Sequence, residues 1–471
     1  MSTLAAVDLG ASSGRVITGT LDRGILRMRH EARFANSPVR LPDGLHWDVL
    51  SLYSSTMAAL GRASRAHSDL VSVAVDSWAV DYALLRDGRL LGNPYHYRDI
   101  RNFGGVRAVH ARIGPEELFR RNGLQHLPFN TIFQLAASQR VGDLVLADRM
   151  LLIPDLIGYW ATGAEVAEHT NASTTGLVKL GESTWDRGLA QALGLRAALL
   201  PDIVEPGTNL GAVRAAVGAE FGVGAQVTFT TVGSHDTASA VVGVPSSSED
   251  SAYISCGTWA LVGTELSSPA ASEAARRSGF TNEYGVDGRT RFLKNVMGLW
   301  LLSESIAFWS RESSTSGLET LLKQAAAAPS DVPTFDVSDE RLLAPGNIPS
   351  RIAQLLSEAG ARPLQSPGEM TRSILQSLAN AFAATLSDIE RVTSKTLTTV
   401  HLVGGGARNE LLCQLTADAV GLPVVAGPVE ATAIGNLLVQ ARTLRLVDGD
   451  LDALRAVVRS SFPARTFVPT P

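Results

Sequence analysis

The sequence contains little cysteine, and this excludes several classes of protein. Only Cys256 and Cys413 occur among its 471 residues. Two thiols are too few for a disulfide framework, and their surroundings lack the residue spacing of a zinc site. We therefore expect two small buried thiols, because free cysteine is among the residue types most often found in protein interiors.

The sequence also lacks an excess of basic residues and a long apolar run. Its 41 Lys and Arg residues stand against 46 Asp and Glu residues, for a net charge of -5, so no basic surface for nucleic acid is expected. No uncharged apolar stretch reaches the roughly 18 residues of a membrane span, and Asp8 interrupts the apolar start that a signal sequence would need. We expect a cytoplasmic protein with no nucleic acid and no membrane as partner.

The length and pattern of the chain predict two α/β domains. A chain of 471 residues is too long for one hydrophobic core, and strand-like and helix-like patterns alternate through most of it. The segment PSSSEDS at 245–251 has the composition of a linker. We therefore expect domains at 1–244 and 245–471, with a surface loop in the Ser/Thr-rich stretch 312–316.

Two stretches of the chain share one form, an apolar strand, a small-residue turn with glycine and hydroxyls, and a second apolar strand. They are AAVDLGASSGRVITGTL and AYISCGTWALVGTEL, and they suggest an internal duplication. Glycine lets backbone N–H groups approach an anion, and hydroxyls add donors. Polar turns that could form one nucleotide site therefore lie at residues 10–15, 234–237, 255–258 and 404–409. Each could equally be a strand end that requires a positive φ.

The first of these turns lies within AVDLGASSGRV at 6–16 and differs from the common phosphate-binding motifs. It has neither the Lys of a P-loop nor the third glycine of the dinucleotide fingerprint. Asp8 ends the preceding strand, where it suits Mg²⁺ held through water, since magnesium keeps several waters and takes one or two carboxylates. A carboxylate that caps the turn is the alternative. Arg15 is either a phosphate contact or a surface residue.

Two further clusters combine polar and aromatic chemistry. In SHDTASA at 234–240, Asp236 stands at the start of a helix of very small residues. Asp236 could be a helix N-cap. Alternatively, the small side chains of this helix could let a substrate or another domain approach it closely. In DSWAVD at 76–81, the indole and carboxylates suit the C–H face and hydroxyls of a sugar. A core Trp between two solvated Asp residues is the alternative.

Six motifs, taken in order, resemble the FGGY family of carbohydrate kinases. They are AVDLGASSGRV, SHDTASA, ISCGTWALVG, LKNVMGLWLL, LVGGGARN and GPVEATAIGN. YRD at 97–99, LPFNTIFQL at 127–135 and TNASTTGL at 170–177 extend the resemblance over essentially the whole chain. It implies an α/β fold of two actin-like (ribonuclease H-like) ATPase domains around a central cleft. The N-terminal domain would bind sugar and carry the first phosphate loop, and the C-terminal domain would bind the nucleotide.

The resemblance also implies roles for individual residues. Asp236 falls on the catalytic base of the family, and Asp8 would hold Mg²⁺, the expected cofactor. The residues expected at the sugar are Trp78, Ala79, Asp81, His235, Thr237 and Asn295. The residues expected at ATP are Ala11, Ser12, Ser13, Gly14, Arg15, Gly257, Thr258, Gly404, Gly405 and Asn409.

Within the family, the chain is most similar to the branch that phosphorylates L-rhamnulose at its 1-hydroxyl in L-rhamnose catabolism. PFNTIF at 128–133 favours this branch, because other sugar kinases often carry Lys-x-x-Trp after a Pro there. Ala79 departs from the family's Asp-x-Trp-Gly-x-Asp pattern, which leaves L-fuculose, another ketose or a polyol open as the substrate. A sugar-sensing actin-like ATPase without transfer activity is the third alternative. The expected partners are sugar and ATP, in a monomer or homodimer.

Overall fold

The computed structural model describes residues 2–312 and 317–470. The loop predicted at 312–316 lies, from residue 313 on, outside the described residues. The strands, in chain order, are β1 (Thr3–Leu9), β2 (Ser13–Asp22), β3 (Ile25–Ala35), β4 (Pro38–Leu41), β5 (Gly44–Trp47), β6 (Leu70–Ser77), β7 (Tyr82–Arg86), β8 (Arg89–Leu90), β9 (Arg149–Leu152), β10 (Val166–Glu168), β11 (Asp202–Val204), β12 (Asn209–Ala212), β13 (Thr228–Thr230), β14 (Ser251–Cys256), β15 (Trp259–Leu266), β16 (Thr281–Tyr284), β17 (Thr290–Met297), β18 (Thr399–Val403), β19 (Val424–Ala426) and β20 (Arg465–Phe467).

The helices connect these strands. In chain order they are α1 (Val49–Ala66), α2 (Asn102–His110), α3 (Pro115–Asn122), α4 (Thr131–Val141), α5 (Asp143–Leu146), α6 (Ile153–Thr162), α7 (His169–Ala172), α8 (Arg187–Ala192), α9 (Ala215–Phe221), α10 (Asp236–Val242), α11 (Glu273–Arg277), α12 (Trp300–Glu312), α13 (Leu318–Ala327), α14 (Ile348–Glu358), α15 (Pro367–Thr393), α16 (Glu410–Val420), α17 (Ala431–Thr443) and α18 (Leu451–Ser461). None of the described helices has the length and apolar composition needed to cross a membrane.

The first large sheet is mixed and has the order β12-β13-β6-β1-β2-β3. Strand β1 pairs antiparallel with β2 and parallel with β6. All seven residues of β1 are buried, because the sheet is covered on both faces and alternate side chains enter two different cores. Val7 packs on one face with Trp47, whereas Ala6 packs on the other with Leu437.

The second large sheet repeats this strand order. Its order is β16-β17-β15-β14-β18-β19-β20, so that β17-β15-β14-β18-β19-β20 corresponds to β3-β2-β1-β6-β13-β12. As in the first sheet, the leading strand β14 pairs antiparallel with β15 and parallel with β18. This agreement supports the internal duplication suggested by the sequence.

The chain forms two compact units. The first contains Met1–Ser247, Glu265–Phe292 and Ala431–Phe462, and the second contains Ser248–Thr264, Leu293–Glu430 and Pro463–Pro471. The predicted α/β class is confirmed, since each unit is built on a β-sheet with helices. The first unit thus includes two segments that follow residue 245, and the boundary placed there from the sequence stays a prediction.

The small-residue helix α10 packs against helix α17 within the first unit. A Cβ at Gly435 of α17 would lie 2.7 Å from the carbonyl carbon of Ser239 and closer still to its oxygen. A Cβ at Gly243 would likewise meet the backbone of Ala431 at 3.0 Å or less. The small side chains of α10 therefore permit close contact between two helices, which accounts for them without a bound substrate.

Both cysteines lie in the second unit as buried free thiols, which confirms the expectation from the sequence. Burial raises the pKa of Cys256 and of Cys413 to about 12. Because the thiolate is the reactive form, both side chains act as small apolar groups.

Candidate active site

Asp236 is the first residue of helix α10, and its carboxylate is accessible. The side chain is 31% exposed, so a substrate can reach it. Thr237 Oγ1 donates a hydrogen bond to Asp236 Oδ1 at 3.1 Å. The backbone N–H of His235 donates to Thr170 Oγ1 at 3.3 Å. The carboxylate is thus presented from a loop whose neighbouring residues are held in place.

The buried carboxylate of Glu168 fixes this loop. Its Oε2 accepts hydrogen bonds from the Ser234 N–H at 3.0 Å and from Ser234 Oγ at 2.7 Å. The same carboxylate accepts from the N–H and hydroxyl of Thr170. Burial raises the pKa of Glu168, although these hydrogen bonds oppose the shift. The Ser77 N–H also donates to the Ser234 carbonyl at 2.9 Å, so the loop is tied to the end of β6.

His235 lies between Asp236 and a buried ion pair. Its Nε2 is 3.5 Å from Asp236 Oδ1. On the other side of the ring, Nδ1 is 3.1 Å from Arg291 Nη2 and 3.2 Å from Glu283 Oε2. Burial alone would raise the pKa of Glu283, but the charge of Arg291 and the contact with His235 lower it. Arg291 is completely buried.

Two further carboxylates end adjacent parallel strands near Asp236. Asp8 and Asp76 are direct partners in the register of β1 and β6. Arg15 contacts Asp8 Oδ2 through Nε at 2.9 Å and Nη2 at 2.8 Å, while Asn436 Nδ2 donates to Asp76 Oδ2 at 2.6 Å. Burial, together with the negative charges of Asp8 and Asp236, raises the pKa of Asp76 well above its ordinary value.

The carboxylates of Asp8 and Asp76 fit a magnesium ion that is held mainly by water and phosphate. Within residues 2–312 and 317–470, no group of three His, Cys, Asp or Glu side chains is arranged as a metal cage. Mg²⁺ seldom uses such a cage, since it keeps several waters and binds one or two carboxylates together with phosphates. Burial is the main cause of the raised pKa of Asp76, and the charges of Asp8 and Asp236 add to it; a cation would offset these charges.

The predicted first phosphate loop is a tight, partly exposed turn between β1 and β2. The Gly10 N–H donates to the Ser13 carbonyl at 3.0 Å, and Asn36 Nδ2 donates to the Gly10 carbonyl at 2.9 Å. A Cβ at Gly14 would lie 2.5 Å from Phe34 Cζ, so a larger residue there would require the Phe34 ring to move. The predicted phosphate contacts that are at least partly exposed are Ala11, Ser12, Ser13 and Arg15.

The predicted sugar wall at 76–81 is more deeply buried than either sequence interpretation allowed. Trp78 is 6% exposed, Asp81 1% and Asp76 0%, so the alternative is confirmed for a core Trp and wrong for solvated carboxylates. Asp81 Oδ2 accepts from Trp47 Nε1 at 2.5 Å and Trp78 Nε1 at 3.0 Å, and its Oδ1 accepts from Gln134 Nε2 at 2.7 Å. Burial raises the pKa of Asp81 to about 6. Asp81 therefore orients Trp78, while the neighbouring Ala79 is half-buried.

Between Ala79 and Asp81, the backbone adopts a costly conformation. Val80 has φ of +68°, a left-handed value that costs a β-branched residue on the order of 1–3 kcal/mol. The Val80 carbonyl accepts hydrogen bonds from Thr131 Oγ1 at 2.6 Å and Gln134 Nε2 at 3.3 Å. The LPFNTIFQL motif thus holds the loop that displays Ala79.

In the second unit, Gly257 and Thr258 form the two-residue turn of the β14–β15 hairpin. The Gly257 N–H donates to the Trp259 carbonyl at 2.8 Å. The carbonyls of Gly257 and Thr258 accept from the N–H groups of Leu299 and Trp300 at 2.9 and 3.2 Å. The turn is therefore fixed by the segment that begins α12. Asn295 lies on β17 and is half-buried.

The glycine-rich turn at 404–409 packs against the same end of β14. A Cβ at Gly404 would be 3.1 Å from the Cys256 carbonyl oxygen, and one at Gly405 would be 3.9 Å from it. Gly404 also has φ of +80°, a conformation that favours glycine. Asn409 caps helix α16, since its Oδ1 accepts from the Leu412 N–H at 3.1 Å. The second unit thus brings the predicted nucleotide residues of its two turns together.

Comparison with known proteins gives two family matches that cover most of the chain. Residues 3–243 match the N-terminal domain of the FGGY family of carbohydrate kinases, and residues 252–444 match its C-terminal domain. The chain belongs to the FGGY family of carbohydrate kinases. Relatives in this family match it over almost their whole length.

Relatives named rhamnulokinase come from several bacteria. The protein from Pectobacterium carotovorum subsp. carotovorum (strain PC1) is 39% identical over 100% of this chain and 93% of the relative. The Enterococcus faecalis protein is 38% identical over 100% of this chain and 94% of its own. The Bacteroides thetaiotaomicron protein is 35% identical over 98% of this chain and 95% of its own.

Solved structures of a xylulose kinase and a glycerol kinase share the fold. A ligand-bound xylulose kinase from Lactobacillus acidophilus superimposes with a TM-score of 0.82 at 17% identity, covering 100% of this chain and 94% of that one. A Plasmodium falciparum glycerol kinase with ADP gives a TM-score of 0.79 at 15% identity, with the same coverage. These similarities confirm the expected fold.

Several residues around Asp236 were not placed among the site residues from the sequence, although Asp76 was noticed as one carboxylate of DSWAVD. Asp76 and Glu168 lie within or next to motifs that were noticed, DSWAVD and TNASTTGL, and buried carboxylates at strand ends are the signal that could have identified them. Glu283 and Arg291 lie about 50 residues beyond His235 in ordinary strand sequences. No local pattern connects them to His235, so only the fold reveals this contact.

Proposed function

We propose that this chain transfers the γ-phosphoryl group of ATP to the 1-hydroxyl of L-rhamnulose, giving L-rhamnulose 1-phosphate and ADP. The observation that carries the proposal is the set of curated relatives named rhamnulokinase, which are 35–39% identical over nearly the whole chain. The accessible Asp236 carboxylate supplies the chemistry that such a transfer needs.

Asp236 is proposed as the catalytic base. The sugar hydroxyl gives its proton to the Asp236 carboxylate while its oxygen bonds to the γ-phosphorus and the bond to ADP breaks. Phosphoryl transfer has a loose transition state, so positioning and charge neutralisation supply most of the catalysis. The hydrogen bonds that tie Ser234 and His235 to the rest of the unit serve this positioning.

The sugar is proposed to contact four further groups that the sequence predicted for it. These groups are Ala79, His235, Thr237 and Asn295. Trp78 and Asp81 were also expected at the sugar. Because Asp81 accepts hydrogen bonds from Trp47, Trp78 and Gln134, we propose that it acts by holding Trp78 and the Ala79 loop in position.

ATP is proposed to bind the glycine-rich turns with Mg²⁺. The proposed phosphate contacts are Ala11, Ser12, Ser13, Gly14, Arg15, Gly257 and Thr258, with Gly404, Gly405 and Asn409 at the nucleotide. Asp8 would hold the metal through water, and the ion would supply positive charge to the transferred phosphoryl group. Arg15, paired with Asp8 at 2.8 Å, adds a second positive group that can turn toward phosphate.

A substrate panel tests the proposal. ADP release is coupled to NADH oxidation with L-rhamnulose, L-fuculose, other ketoses, glycerol and no sugar. We expect the highest kcat/KM with L-rhamnulose and little ATP turnover without sugar. A higher kcat/KM for another sugar would identify that sugar as the substrate in place of L-rhamnulose. The variant Ala79→Gly would then show whether the methyl group of Ala79 sets the preference. ATP hydrolysis without sugar at the sugar-stimulated rate would indicate an ATPase.

The role of Asp236 has its own test. Asp236→Asn keeps the size of the side chain but cannot accept the proton, so we expect phosphorylation to be lost. Nucleotide affinity, measured by titration calorimetry, should stay near that of the native protein. An Asn variant with native kcat would exclude Asp236 as the base.

A further inference from the structure

Arg291 approaches His235 on the side of the ring that faces away from Asp236. The guanidinium is completely buried, and its Nη2 donates toward His235 Nδ1 at 3.1 Å. Its Nε donates to the Tyr284 carbonyl at 2.9 Å, which fixes the plane of the group. The position of this donor is therefore set by the backbone of β16.

This contact favours one of the two possible positions for the proton of His235. A guanidinium has only N–H donors and no acceptor, so Nδ1 is the acceptor in a hydrogen bond with Arg291. In a neutral imidazole the proton then belongs to Nε2. Nε2 is the nitrogen that lies 3.5 Å from Asp236 Oδ1, so the ring presents a donor next to the base.

Glu283 balances the charge of Arg291 at the same place. Its Oε2 is 3.0 Å from Arg291 Nη2 and 3.2 Å from His235 Nδ1. A buried charge without a partner is strongly destabilising, which explains why the two residues occur together. The short distance to Nδ1 also defines the competing arrangement, in which Nδ1–H donates to Glu283 and Nε2 is left without a proton.

We infer that Arg291 is a positioning residue that holds His235 in the Nε2–H form, so that His235 donates a hydrogen bond at the reacting hydroxyl and Asp236 alone accepts the proton. The inference rests on the proposed function of Asp236 for its catalytic part. The assignment of the tautomer is independent of that function, because it follows from the contact with Arg291.

The tautomer is measured directly by NMR. The full-length protein, labelled with ¹⁵N in the rings of its nine His residues, is recorded in long-range ¹H–¹⁵N correlation spectra without sugar, and His235→Gln assigns the signal. We expect the pattern of an Nε2–H imidazole. An Nδ1–H pattern in the native protein would overturn the inference, whatever sugar the enzyme uses.

Two variants connect the tautomer to catalysis. Arg291→Met combined with Glu283→Leu removes both charges and every hydrogen-bonding side chain of the pair, and Arg291→Lys is the matched control that keeps a charged donor and the partner of Glu283. We expect the double variant to lose the Nε2–H pattern and about 10- to 100-fold in kcat, the range found when outer partners of a site are removed. The KM for ATP should change little, and the Lys variant should recover both the pattern and much of the kcat.

These measurements separate the inference from a structural effect and from the proposed function. A double variant with the native tautomer and native kcat would refute the role of Arg291. A loss of activity in proportion to folded protein, with the tautomer unchanged, would assign the pair to stability alone. If the native protein shows the Nε2–H form but phosphorylates no sugar, the proposed function fails and the tautomer assignment stands.

Discussion

The contact between helices α10 and α17 predicts that Gly435→Ala impairs the enzyme. The added Cβ would lie 2.7 Å from the Ser239 carbonyl carbon, closer still to the oxygen, and 3.0 Å from Val242 Cβ. Real Cβ atoms essentially never come within 3.0 Å of such groups, so the helices must separate. Overpacking of this kind costs about 1–3 kcal/mol, and the better helix propensity of Ala returns only about 1 kcal/mol.

The displacement should affect kcat more than it affects stability. Helix α10 begins with Asp236, so a shift of the helix moves the proposed base, and a misplacement of about 1 Å can cost 10²-fold in rate. We expect kcat to fall about 10- to 100-fold and the melting temperature to fall by a few degrees. Both are measured with the coupled ADP assay and by calorimetry.

Gly104→Ala is the matched control for this substitution. Gly104 is also in a helix, α2, but an added Cβ would meet only the flexible end of Arg140 at 3.1 Å. This variant should keep native kcat and be as stable as the native protein or slightly more so. If Gly435→Ala behaves in the same way as Gly104→Ala, the reasoning about helix contact is wrong.

Three other predictions concern buried or paired carboxylates. Asp8→Ala should reduce kcat and its dependence on Mg²⁺ more than it changes the KM for sugar, and unchanged kcat at limiting Mg²⁺ would contradict the proposed metal role. Glu168→Gln places an amide N–H opposite the two donors of Ser234, where the native carboxylate accepts. We therefore expect the free energy of unfolding, measured with urea, to fall by about 1–3 kcal/mol and kcat to fall as well. Native values of both would show that Glu168 does not hold the Ser234 loop. Burial raises the pKa of Asp81 to about 6, above its unfolded value of about 3.9. The folded protein therefore holds a proton on Asp81 at pH values where the unfolded chain has lost it. As the pH rises through 4 to 6, the free energy of unfolding of the native protein should fall by about 3 kcal/mol in total relative to that of Asp81→Asn. A difference between the two proteins that is constant across this pH range would refute the prediction.

Local sequence predicted the strands, turns and motif positions, because these depend on nearby residues. The apolar run before Asp8 forms β1, and the turns at 10–15 and 257–258 join antiparallel strands as expected. The residue types of the family motifs also indicated Asp236. These features could be predicted since short-range periodicity and turn chemistry determine them.

Burial and contacts distant in sequence could not be predicted in the same way. Asp81 has the chemistry of a sugar ligand, but donors from Trp47 and Gln134 converge on it only in the folded chain. The small residues of α10 suggested a ligand or another domain, whereas their neighbour is a helix nearly 200 residues later. The contact of Arg291 with His235 could not be predicted either, because it also joins residues that are distant in sequence.

The discontinuous first unit has a consequence for how this enzyme is made. Asn436 donates to the Asp76 carboxylate, and Gln440 Nε2 donates to the Ala5 carbonyl at 3.0 Å. Helix α17 therefore completes the core beneath strands synthesised more than 350 residues earlier. A nascent chain on the ribosome carries Asp236 long before it carries this helix. Catalytic competence should consequently arise only when synthesis is nearly finished, and a fragment that ends at Ser247 should be a poor substitute for the native unit.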